Sequence, residues 1–185
     1  MEYKDFVYKV DAYNGFVELR RVLNDLLENS EDRSKFEDAW AEVGALAMSG
    51  NPIAQDIVAY YYKNGINGFL PENYDLYMKW SILAAANGNE FAIEKLQFFL
   101  NYAFQELITE ENLQKILARN EIDENNYFYV IGNLLCEGLV DEMHINAKDL
   151  VEEKSGIVKY TPERLRVYKR ELEKALPRIL DYLLA

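Results

Sequence analysis

Apolar residues recur at intervals of three and four along most of this chain, which is the spacing of one face of an α-helix. The clearest case is residues 16–27, where Phe16, Leu19 and Leu23 share such a face. Short turns rich in glycine or asparagine separate one such segment from the next. The pattern predicts an all-α fold with helices at residues 16–27, 34–49, 54–63, 73–86, 91–104, 110–119 and 127–137, and a long final helix.

The ends of two segments carry more specific signals. Thr161 is a good N-cap and Pro162 suits the first position of a helix, so the final helix should begin there. Pro177 removes one backbone N–H from that helix and should kink or split it. The second helix could start at residue 30 or 34, and residues 6–13 fit either a strand face or a helix turn, of which we favour the helix.

One pair of turns repeats along the chain. Gly50-Asn51 recurs as Gly88-Asn89, a displacement of 38 residues, and an alanine follows each pair at the same distance. Between these turns, small residues suit a close crossing of two antiparallel helices, and large ones suit the gap between neighbouring hairpins. The small residues are Ala59, Ala84 and Ala85, and the large ones are Tyr62 and Trp80. Gly65 should form a left-handed C-cap at the end of the first helix, and Asn73 should be the N-cap of the second.

This arrangement resembles the Sel-one-like repeat, a branch of the tetratricopeptide-type helical-hairpin proteins. Residues 54–89 match one repeat, with a loop two residues longer than the family pattern, and degenerate hairpins extend the likeness over residues 36–138. The resemblance implies a right-handed α/α solenoid of short hairpins with a closing C-terminal helix. We expect a single domain over residues 1–185, with a helical cap at 1–35, repeats at 36–138, and an acidic linker and C-terminal helix at 139–185.

The charge balance limits the choice of partners. The chain has 20 basic and 32 acidic residues, a net charge of −12, which disfavours direct binding to nucleic acid or to an anionic membrane. A protein partner with a basic surface is more compatible with it. The N-terminus lacks the pattern of a signal peptide, no stretch is long and apolar enough to span a membrane, and a single cysteine excludes an intramolecular disulfide. We therefore expect a cytoplasmic protein.

Residues for catalysis or metal binding are scarce. Cys136 and His144 are the only cysteine and histidine, and Cys136 ends a hydrophobic helix beside an acid, which should raise the pKa of its thiol. One cysteine and one histidine cannot complete a zinc shell, and the glycines at residues 65–68 lack the lysine of a phosphate-binding loop. We expect a buried, unreactive cysteine, a histidine in a turn, no catalytic site, no metal and no cofactor.

Two features point to protein binding. Tyr60, Tyr61 and Tyr62 are consecutive in a helix and cannot all face one core, so Tyr60 and Tyr61, with Gln55, are candidates for an exposed or groove-facing patch. A neighbouring helix that covers both rings is the alternative. The second feature is a group of acidic residues that comes just before a basic stretch, residues 159–178. These acidic residues could form ion pairs with the basic stretch inside the molecule. If they instead bind a partner, the candidate residues are Glu137, Asp141 and Glu142.

The sequence supports two functions. The first is a non-catalytic adaptor or regulator that binds a partner in the groove of the solenoid, as the resemblance implies. The second is an acidic inhibitor, such as an immunity or anti-defence protein, that masks the basic surface of a toxin or a nucleic-acid enzyme. Binding that collapses with added salt would favour the second.

Overall fold

The computed structural model describes residues 12–29, 33–153 and 156–185, and within them the fold is all-α, as predicted. Extended structure in these ranges is limited to two isolated bridges. Ten α-helices and one π-helical turn, Ala103–Leu107, make up the described architecture. The helices are α1 Ala12–Glu28, α2 Arg33–Met48, α3 Pro52–Asn64, α4 Tyr74–Ala86, α5 Glu90–Lys95, α6 Gln97–Tyr102, α7 Glu110–Arg119, α8 Tyr127–Met143, α9 Ala147–Glu152 and α10 Pro162–Leu184.

Side-chain caps set several of these boundaries. The Asn73 side chain accepts from the backbone N–H of Leu76 at 2.9 Å, and Thr161 accepts from Arg164 at 3.2 Å, so both predicted N-caps are confirmed. Helix α10 is continuous through Pro177, so the helix is not split there. Of residues 6–13, only 12 and 13 lie within the described residues, and they belong to α1.

The prediction of one continuous helix over residues 91–104 is wrong. The chain forms α5, turns at Leu96 with φ −86° and ψ 5°, and continues as α6 and the π-helical turn. The break re-aims the chain so that residues on both sides of it face the core. Ala92, Ile93, Leu96, Phe99, Leu100 and Ala103 are all buried.

Gly65 ends α3, but its predicted left-handed conformation is wrong. Its φ of 70° is positive while its ψ of 168° is extended, and its N–H donates to the Tyr61 carbonyl at 2.7 Å. A Cβ at this position would lie 2.9 Å from the backbone nitrogen of Glu72. The loop returns so closely that glycine is required for space as well as for backbone angle.

The paired turns found in the sequence have matching hydrogen bonds. Gly50 and Gly88 have φ of 99° and 89°, and each ends its helix in a Schellman motif. The residue after each glycine also caps the next helix, since Asn51 and Asn89 accept from the backbone N–H groups of α3 and α5. The donor–acceptor pairs are Gly50 to Ala47, Asn51 to Leu46, Gly88 to Ala85 and Asn89 to Ala84.

The core forms one continuous cluster from Phe16 to Leu183 within the described residues. Trp80, 1% exposed, is the largest of its fully buried side chains, and Tyr62 is buried as predicted. The small residues Ala59, Ala84 and Ala85 are also buried. All five residues of the predicted contrast between small and large side chains are therefore in the core.

Helices α2, α3 and α4 pack mainly on their neighbours in sequence, α1 packs on both α2 and α3, and α8 packs on α4 and α10. The chain also folds back, because α9 contacts α2 and α4, and Val158 exchanges backbone hydrogen bonds with Glu72 and Tyr74. These returning contacts join the C-terminal part of the chain to the central hairpin. No helix in the described residues is long and apolar enough to cross a membrane.

Candidate functional site

A cleft of 320 Å³ lies where α3, α4, α5 and α6 meet. Helix α3 contributes three residues at spacings of three and four, which therefore share one helix face. Phe98 of α6 forms a rim and is 52% exposed. We call this the aromatic cleft, and its lining residues are Tyr60, Lys63, Asn64, Tyr77, Lys95 and Phe98.

A buried ion pair supports one wall of the aromatic cleft. Lys95 Nζ lies 2.5 Å from Asp56 Oδ1, with the Asp56 side chain fully buried and that of Lys95 30% exposed. Asp56 Oδ2 is buried without a hydrogen-bond partner among the described residues. Burial raises the pKa of Asp56, and the nearby Lys95 opposes that shift. Burial also lowers the pKa of Lys95 against the attraction of Asp56.

Aromatic rings surround the cations of the cleft. Lys95 Nζ lies 4.3 Å from the ring centre of Phe16 and 4.6 Å from that of Phe91. Lys63 Nζ lies 5.4 Å from the Tyr77 ring centre. These are cation–π distances, which suit a cation held at an apolar surface.

Two further positive charges lie near the Lys95–Asp56 pair. Arg20 of α1 lies 5.7 Å from the Tyr60 ring centre. Arg20 and Lys63 are close enough to Lys95 that both their charges act to lower its pKa. Within the described part of the chain, neither Arg20 nor Lys63 has an ion pair with a carboxylate. The cleft is therefore locally cationic on a chain of net charge −12.

The structure brings only one residue of the predicted tyrosine patch to this site. Tyr60 is half-buried and lines the aromatic cleft. Tyr61 is not exposed, because it packs on Trp40 and donates its hydroxyl to Asn24 Oδ1 at 2.7 Å, which leaves it 4% exposed. Tyr61 does, however, line a separate concavity of 360 Å³ together with Tyr60. Burial also raises the pKa of Tyr61.

Gln55 is likewise buried, with 1% exposure, so the expectation that it is exposed is wrong. Its amide nitrogen donates to the Ala47 carbonyl at 2.9 Å, and its oxygen accepts from Asn87 at 2.9 Å. The side chain therefore joins the turn after α2 to the turn after α4. Its partners explain the burial, since a buried amide needs both its donor and its acceptor satisfied.

The predicted acidic residues lie at a second concavity, of 280 Å³, between α8 and α10. Glu137 and Asp141 line it opposite Tyr182, which is 71% exposed, while Glu142 approaches Arg178 at 4.0 Å. Partial burial and the charge of Asp141 raise the pKa of Glu137. We call this the acidic notch, and its lining residues are Leu134, Glu137, Gly138, Asp141, Arg178, Ile179 and Tyr182.

The basic stretch pairs in part inside the molecule. Arg164 contacts Asp75 at 2.7 Å, and Lys174 contacts Glu171 at 2.9 Å. Lys169 lies 5.1 Å from the ring centre of Tyr102. Among the described residues, the expected pairing with the acidic residues just before this stretch is limited to Arg178 with Glu142 at 4.0 Å, whereas Arg164 ties α10 to α4.

The isolated cysteine and histidine are placed as predicted. Cys136 is fully buried, and burial, reinforced by the neighbouring Glu137, raises the pKa of its thiol. His144 is exposed in a left-handed conformation with φ 52° at the end of α8, which runs past the predicted residue 137 to Met143. In the described ranges no group of three or more histidine, cysteine, aspartate or glutamate residues is placed to hold a metal ion.

Sequence reasoning missed Lys63, Tyr77 and Lys95 as parts of one site. They lie on three helices, and only tertiary packing brings them together. A signal for Phe98 was available, because Phe98-Phe99 cannot both face the core of one helix, and Phe99 is the buried member.

Comparisons with protein-family models, with curated proteins and with solved structures found no match to this chain.

Proposed function

We propose that the chain is a non-catalytic protein-interaction module, an adaptor or regulator that holds a partner in the aromatic cleft. The observation that carries the proposal is an open concave surface with a half-exposed Phe98 at its rim and two further aromatic rings on its walls. Exposed aromatic side chains beside a concavity are typical anchors of protein interfaces, because they bury a large rigid area at little entropic cost.

The geometry of a right-handed α/α solenoid belongs to the same proposal. It is supported by the sequential packing of α2, α3 and α4 and by the Schellman and N-cap pairs repeated at a displacement of 38 residues. Stacked hairpins of this kind form concave binding surfaces. The return of α9 onto α2 and α4 is an addition to that pattern.

Site-specific photo-crosslinking tests this function. A benzoylphenylalanine residue replaces Phe98 in one version of the chain and Val151, which is 45% exposed on α9, in a matched control. We expect one protein from native extract to crosslink at position 98 and not at 151, and to bind the unmodified chain when purified. If the extract yields no specific adduct and no purified candidate binds, the interaction function is wrong.

The acidic notch favours a second candidate, the inhibitor of a basic protein. Glu137 and Asp141 face the exposed Tyr182 across the notch, an arrangement that suits a cationic side chain through charge and a ring face. Replacement of Tyr182 with the same photo-crosslinker distinguishes the candidates. Adducts at position 182, together with affinity that falls steeply with salt, would support the inhibitor and oppose the adaptor.

A further inference from the structure

The charge of the aromatic cleft is opposite to that of the whole chain. Lys63 and Lys95 line it, and Arg20 lies behind the Tyr60 ring. Among the described residues, Asp56 is the one carboxylate that forms an ion pair with these cations, and its partner is Lys95. A ligand that enters the cleft therefore meets excess positive charge at close range.

Lys63 is the cation best placed to meet such a ligand. It is exposed, and its contact within the described residues is the ring of Tyr77, 5.4 Å away. A carboxylate that approaches Lys63 from solvent would displace no ion pair formed among the described residues. Because hydrogen bonds to charged groups are the stronger ones, this contact can orient a ligand.

The apolar walls define the second part of the ligand. Phe98 and the half-buried Tyr60 present ring surface beside the lysines, whereas Tyr77 is only 8% exposed, and a small inorganic anion would leave Phe98 exposed. Aromatic surface also continues along α6, since Tyr102 lies one turn beyond Phe98 and carries Lys169 over its ring. The surface therefore suits an extended ligand longer than the cleft itself.

We propose that the aromatic cleft binds an acidic peptide segment of a partner protein, with a carboxylate at Lys63 and a neighbouring large apolar side chain against the rings of Tyr60 and Phe98. This inference rests on the proposed interaction function and names the chemistry of the partner. The proposed peptide and the whole chain are both negatively charged, so binding depends on the local positive charge of the cleft and not on the net charge of the chain.

The test is a selection from a phage-displayed library of random peptides on the full chain. We expect enrichment of sequences in which aspartate or glutamate adjoins phenylalanine, tyrosine, tryptophan or leucine. A selected peptide is then synthesised with blocked ends, together with a version in which amides replace its carboxylates. The amide version should bind at least about tenfold more weakly.

Variants of the chain locate the site. Lys63→Gln and Phe98→Ser should each weaken binding of the selected peptide about tenfold, because both side chains are exposed and their replacement spares the core. The matched controls Lys148→Gln and Val151→Ser, both exposed on α9, should change the affinity less than about twofold. Thermal midpoints measured for all four variants show that each is folded.

Several outcomes overturn the inference. They are the absence of enriched peptides, enrichment of basic peptides, equal binding of the amide version, and unchanged affinity of Lys63→Gln. Displacement of the peptide by inorganic phosphate at similar affinity would assign the cleft to a small anion instead. A partner that crosslinks at position 182 while the cleft binds no acidic peptide would refute this inference and leave a protein-interaction function standing.

Discussion

Removal of the Lys95 charge is expected to leave a carboxylate buried without its partner. Lys95→Met keeps an unbranched apolar side chain near the rings of Phe16 and Phe91, so packing there changes little. Asp56, fully buried, would lose its ion pair. Loss of one partner of a buried pair costs about 3–5 kcal/mol, and the 30% exposure of Lys95 places this case near the lower end, at about 3 kcal/mol.

The pH dependence of this loss follows from the pKa of Asp56. Burial raises that pKa above its ordinary value of 3.8, and Lys95 supplies both effects that lower it, so Lys95→Met raises it further. A raised pKa in the folded state means that the protonated carboxyl is the form favoured by folding. The destabilisation should therefore be greatest above the raised pKa and should shrink as the pH falls through it.

Urea unfolding at neutral pH and at pH about 5, followed by circular dichroism, measures both effects. A second variant, Asp56→Asn with Lys95→Met, removes the buried charge and should recover most of the lost free energy of unfolding. The reasoning fails if Lys95→Met costs less than about 1 kcal/mol at neutral pH, or if the double variant is no more stable than Lys95→Met alone.

Three further experiments test the packing. Trp80→Ala should lower the free energy of unfolding by about 3–5 kcal/mol in chemical denaturation, since the indole is 1% exposed, and a loss below about 1 kcal/mol would contradict its place in the core. Gly138→Ala should cost about 1–3 kcal/mol because its Cβ would lie 2.4 Å from Ile179 Cδ1, and adding Ile179→Val, which removes that atom, should return part of the loss in the same assay. Cys136 should react with a thiol reagent only after denaturation, and fast reaction of the folded chain would contradict its burial.

The parts of the fold that depend on local signals could be predicted from the sequence. Helix starts at Asn73 and Thr161 follow from side-chain caps, which involve residues only three positions apart. The repeated glycine–asparagine turns are local as well, and each turn makes its hydrogen bonds within six consecutive residues. Such elements are specified by residues that lie close together in the sequence.

The parts that depend on distant partners could not be predicted. Gln55 is buried because its acceptor is Ala47 and its donor is Asn87, and neither is visible from helix periodicity. Tyr61 is buried because Trp40 and Asn24 cover it, whereas its neighbour Tyr60 remains at the cleft. For consecutive aromatics, the direction of each ring is decided by the neighbouring helices.

The pairing of Asp56 with Lys95 explains how a chain this acidic can build a cationic site. Asp56 offsets one of the three cations and does so from inside the core, where its side chain is fully buried. An acid on the surface of the cleft would meet incoming carboxylates directly and repel them at short range. The Asp56 carboxylate lies on the buried side of Lys95 and lowers the free-energy cost of burying that charge. The charge that Lys63 presents to solvent therefore stays positive. If that arrangement is what permits an acidic ligand, then placing a carboxylate at the rim by Asn64→Asp, on the exposed last residue of α3, should abolish peptide binding with little change in stability.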